Sequence, residues 1–198
     1  MRSIVLFAVL NVCVFSGCAR KRLVTSDLSA YIADESNGLR KRQDWHGFTM
    51  LMEYVPAPLA NRILGGTSTT SPHNMVYADM SQYLCFSLTL SHKSGPVIDT
   101  SQNAKYREAA LKYLENEIGN DLHLWEGVLS HDVTNFIYLG TNGSEDGSSV
   151  LMFFKNVLKS DQKDVKVVFE DHFFGTGANI FPFSTRDITL INNHASED

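Results

Sequence analysis

"YLCFSLTLS" (83–91) alternates strictly. Leu84, Phe86, Leu88 and Leu90 fall on one face, while Cys85 falls on the other beside Tyr83 and Ser87. A period of two marks a β-strand with one face on a core. "HGFTMLMEY" (46–54) repeats the pattern, with Phe48, Met50, Met52 and Tyr54 opposed to Thr49, Leu51 and Glu53. Outward from these two runs, segments 122–125, 133–139, 150–155, 165–170 and 179–184 read as further strands. "GTNGSEDGSS" (140–149) is rich in turn residues and reads as a hairpin loop. "FGTG" (174–177) reads as a tight turn in which Gly175 or Gly177 takes a positive φ.

Helices are fewer. "AKYREAALKYLENEIGND" (104–121) predicts the long one: Tyr106, Ala110, Leu114 and Ile118 recur every four residues, and Leu111 widens the stripe. Glu108 and Lys112 stand in the favourable i,i+4 order, and Gly119-Asn120 is the expected stop. Ser26 or Asp27 can cap a short helix carrying Leu28, Tyr31 and Ile32, ended by Asn37-Gly38. "APLANRIL" (57–64) reads as one or two helical turns between prolines and a polar loop. The expected fold is therefore α+β: a mainly antiparallel sheet or sandwich, one long helix and short helices. The globular domain is placed at 26–191, with a frayed polar tail at 192–198.

The chain has 198 residues, and its 43% hydrophobic content suffices for one core. A net charge of −5 argues against a nucleic-acid partner, since Arg20-Lys21-Arg22 and Arg40-Lys41-Arg42 are too short to make a basic footprint. No apolar run reaches the length of a membrane-spanning helix.

The first residues decide location. Arg2 supplies a positive start, and 4–15 is apolar apart from Asn11. That is the length of a signal-peptide core and too short to cross a bilayer. Ser16, Gly17 and Cys18 follow. A small-residue step ending at cysteine resembles the lipobox of bacterial lipoproteins, although Phe15 stands where Leu is usual. The resemblance implies cleavage after residue 17, a diacylglyceryl thioether on Cys18, and acylation (commonly palmitate) of the new N-terminus. Residues 1–17 are then the signal peptide, and 18–25 the lipidated cysteine and tether. Several acyl chains hold where one is marginal. The plainer alternative is an ordinary secretory signal with an incidental Cys18. Under the lipoprotein reading Cys85 is the sole free thiol of the mature chain, and no disulfide can form. Arg20-Lys21-Arg22 either touches anionic head groups or is solvated tether.

Further stretches are similar to lipoproteins of the Bacteroidota. They are "NGL" with Lys41 (37–41), "EYVPAPL" (53–59), "LTLSHKSG" leading to a helix (88–118), and "VVFEDHFFGTG" (167–177). In that group surface display goes with acidic residues after the cysteine, and here they are basic. The resemblance therefore implies the outer membrane, facing the periplasm. It implies a shared fold and carries over no functional residue.

Chemical constellations are weak. Cys85 sits inside a strand, where a thiol is usually a small hydrophobe. The seven histidines show no zinc spacing. His131-Asp132 and Asp171-His172 are sequence neighbours, which a strand sends to opposite faces. Glu126, Asp132, Glu170 and Asp171 lie near strand ends, as solvated edge charges also would. Asn142, Ser144, Asp146 and Gly147 are similar to the start of a calcium loop, but Phe153 holds the place of its terminal glutamate. Of Phe173 and Phe174, a regular strand buries only one. No catalytic residue, metal or cofactor is assigned, and Cys18 is the one site residue. The leading expectation is a non-enzymatic envelope lipoprotein. Its partners would be membrane lipid through Cys18 and an envelope protein or glycan. An envelope hydrolase and an immunity- or inhibitor-like lipoprotein are the alternatives.

Overall fold

The computed structural model describes residues 25–66, 80–93, 95–98, 103–140, 147–158 and 164–195. Cys18, the tether bases, His73 and residues 142–146 of the calcium-like loop lie outside them. In chain order the elements are α1 (Thr25–Ala33), β1 (Arg40–Trp45), β2 (Phe48–Tyr54), α2 (Ala57–Gly66), β3 (Tyr83–His92) and β4 (Gly95–Pro96). Then come α3 (Ala104–Lys112), β5 (Leu122–Glu126), β6 (Leu129–Asp132), β7 (Asn135–Gly140) and β8 (Ser148–Lys155). β9 (Asp164–Asp171), β10 (Gly177–Ser184) and α4 (Thr185–Ala195) finish the chain.

Two antiparallel sheets form, making the fold α+β. One runs β1-β2-β3-β8-β7, with β4 added at the end of β3, and the other runs β10-β9-β5-β6. The alternating residues of β2 and β3 bury one face: Met50, Met52, Leu84, Phe86, Leu88 and Leu90 are all within 1% of full burial. Phe86 meets Phe183 of the second sheet at 5.0 Å, and Tyr54 meets Phe86 at 5.4 Å. The second sheet buries Leu122, Leu124, Val165, Val167, Phe169, Phe181 and Phe183 on its inner face. The Gln43 amide donates to the Ile180 carbonyl at 2.7 Å, tying the edge strands β1 and β10 together.

Four departures from the sequence reading have local causes. Arg40-Lys41-Arg42 lies in β1, a polar edge strand recruited by pairing rather than by its own burial. His46-Gly47 turns it back with both φ positive, at 49° and 91°, the type I′ geometry that matches strand twist. Arg40 pairs with Glu53 directly opposite at 2.7 Å. Segment 133–139 is not one strand from 133: β6 precedes it, the chain turns at 133–134, and β7 begins at Asn135. Residues 192–195 are helical, not frayed. α4 buries Ile188, Ile191 and Ala195, and the Tyr54 hydroxyl donates to Asn192 at 2.8 Å.

The long helix also changes pitch. Regular α3 ends at Lys112, Tyr113–Glu117 is π-helical, and Ile118–Asp121 is a 3-10 turn. The Lys112 ammonium reaches Glu117 at 2.8 Å, five residues on, alongside in the wider turn. The Asn116 side chain donates to the Lys112 carbonyl. The helical path thus runs past Gly119 to Asp121. Extra-wide turns of this kind recur at functional sites.

Candidate functional site

The π segment and the 3-10 turn put Tyr113, Asn120 and Asp121 beside the bend that follows β9. Asp121 is 7% exposed, and its carboxylate accepts the Tyr113 hydroxyl at 2.6 Å. It also receives the His172 backbone N–H at 3.3 Å and meets His172 Nδ1 at 2.9 Å. Buried carboxylates need such partners. Burial first, then the bond to Asp121, pushes the Tyr113 hydroxyl far above its usual range, so it stays a donor. The His172 imidazole is 74% exposed. Its bond to Asp121, then the charge of Asp121, raises its pKa above the ordinary value.

Asp171 builds the neighbouring bend. Its carboxylate accepts the backbone N–H of Phe173, Phe174 and Thr176 at 2.9, 2.8 and 2.6 Å, and the Thr176 hydroxyl at 2.7 Å. Gly175 and Gly177 both take positive φ there, at 79° and 71°. The bend frees Phe173 and Phe174 from strand alternation. Phe173 stacks on Tyr113 at 4.9 Å, and Phe174 meets the same ring edge-on at 5.7 Å.

Asn120 leads from this cluster into a groove of about 640 Å³. Gly119, Asn120, His123, Asp132, Asn135 and Phe136 line it. Phe136 lies directly on Gly119, where a Cβ would stand 2.5 Å from the ring. His123 Nδ1 meets Asp132 at 3.2 Å across the β5–β6 pair. The groove offers the Phe136 ring and Val133 among polar side chains, with Asp132 its one carboxylate. A second hollow of about 650 Å³, past Thr134, touches neither histidine pair.

The sequence-adjacent pairs do not touch as neighbours. His131 meets Glu126 at 3.3 Å, Asp132 meets His123, and His172 meets Asp121. Each imidazole finds its carboxylate on another segment, which spacing in sequence cannot reveal. Asp121 and Tyr113 were not among the sequence candidates. An acid just beyond a helix stop was the available signal. Cys85 is buried opposite Phe153, and burial pushes its thiol up. His46 stacks on Trp45, and His92 lies edge-on to Phe48. Among the described residues no three His, Cys, Asp or Glu side chains are grouped to hold a metal ion.

No protein-family model matches the chain, and no curated protein or solved structure is similar to it.

Proposed function

We propose that this is an acyl-anchored lipoprotein of the bacterial envelope, at the periplasmic face of the outer membrane, that acts by binding an envelope glycan. The lipobox-like step at Cys18 supports the anchor. The groove beside Asn120 is the observation that carries the binding role. Pockets recognise ligands through an apolar wall and a few oriented polar groups. Phe136 supplies a face for sugar C–H groups. Asn120 and Asn135 each bring an acceptor and donors, and His123 and Asp132 extend the polar rim. Little of this lining is charged, which suits hydroxyl-rich ligands.

The test titrates purified envelope glycan fragments into wild type and Asn120→Ala. Asn120 is exposed, so the variant leaves the core intact. Losing one hydrogen-bonding side chain should weaken binding about tenfold. Absence of binding to wild type, or equal binding by the variant, contradicts the groove reading.

One observation favours a second reading, an envelope hydrolase: an exposed imidazole oriented by a buried carboxylate is a competent general base. Under that reading, polymer cleavage is present in wild type and lost in His172→Ala.

A further inference from the structure

The β5–β6 hairpin carries its most exposed apolar residues where turn chemistry asks for polar ones. Glu126 pairs with Leu129, so Gly127-Val128 is a two-residue loop. Gly127 has φ 61° and Val128 does not share the left-handed region, the pattern of a type II′ turn with glycine first. Asn, Ser or Asp is usual beside that glycine. Here Val128 is 89% exposed and Leu129 56%. Trp125, one pair back opposite Ser130, is half-buried on the same ribbon.

This tip lies at the end of the sandwich where the N-terminal helix sits. Glu126 is level with Val165, which is level with Phe183. Phe183 packs on Phe86, and Phe86 on Tyr54. At that level the Arg40 guanidinium donates to the Ala33 carbonyl, the last residue of α1. Arg62 of α2 donates to Ser29 of α1. The opposite end holds the His46-Gly47 turn and the Asp121 cluster, where Phe48 meets Phe174.

We infer that the Gly127–Leu129 tip rests in the interface of the bilayer to which the chain is anchored. The inference depends on the Cys18 anchor proposed above and goes beyond it. Residues 19–24 alone separate Cys18 from α1, so full extension gives roughly 25 Å of tether. A domain held that closely turns its α1 end toward the lipid. Val128 and Leu129 then find the apolar contact that they lack in water, and the groove near Asp121 faces away from the membrane.

The experiment uses the full acylated chain in phosphatidylethanolamine–phosphatidylglycerol vesicles. An environment-sensitive fluorophore is attached at Val128→Cys or, for comparison, at Asp44→Cys near the opposite turn. Intact mass establishes the acyl groups first. The expected result is a blue-shifted label at 128, quenched by spin-labelled lipid several-fold more than at 44 and shielded from iodide. An acylated protein whose label at 128 stays as iodide-accessible as that at 44 overturns this inference alone. A chain without acyl mass on Cys18 overturns the anchor and this inference together.

Discussion

His172 shows how one residue is set by groups far away in sequence. Its bond to Asp121, 51 positions earlier, raises its pKa above the ordinary value of 6.5. The protonated ring therefore stabilises the fold fully below the unfolded value. That contribution is lost as pH rises through the higher folded value. NMR titration should show a midpoint above 6.5 in wild type that moves back toward the ordinary value in Asp121→Asn. An unmoved midpoint would mean that Asp121 does not hold the ring. Gly119 is set by contact rather than charge. Gly119→Ala must displace the Phe136 ring, costing about 1–3 kcal/mol of stability by denaturant titration. The same substitution should reduce glycan affinity, because it reshapes the apolar wall. In the sequence Gly119 looked like a helix stop. Its function as a seat for Phe136 needs the β7 strand to be in place, and no local pattern encodes that.

At the scale of elements, legibility followed burial. β2, β3, β8, β9 and β10 bury alternate residues or nearly every one, so their apolar rhythm was visible in the chain. β1 and β6 bury almost nothing and form because hairpin turns return them to a paired neighbour. Such strands have no hydrophobic signature. α4 was hidden by Thr, Asn and Arg around three buried apolar positions, 188, 191 and 195, although their spacing is helical. The pitch change at Tyr113 was also silent, because Tyr106, Ala110, Leu114 and Ile118 fit an ordinary helix. Turns were legible where a positive φ favours glycine. Gly38 caps the 3-10 turn Glu35–Asn37 at φ 74°, and a Cβ there would approach Asp187 at 2.9 Å. Gly38→Ala should cost roughly 1–2 kcal/mol, read as a lower urea midpoint at unchanged slope. Gly38→Asn should lose less, since asparagine tolerates the left-handed region.

On the scale of the whole molecule, the two sheets and their closing helices bury a single continuous core. Cys85 lies in that core, so a thiol reagent should read it only after unfolding. Fast labelling of Cys85 in native buffer would show that the β3–β8 centre opens locally. Under the proposed anchor, the end that carries α1 faces the lipid and the Asp121 groove lies at the other end. The central claim is the anchor, because it fixes both the compartment and the orientation. Its most direct test is membrane fractionation with intact mass, comparing wild type with Cys18→Ser. The account predicts a wild-type protein in the membrane fraction, starting at Cys18 and carrying acyl mass, and a variant that lacks both properties. A Cys18→Ser protein that still sediments with membranes and carries lipid, or a wild type without acyl mass, would contradict it.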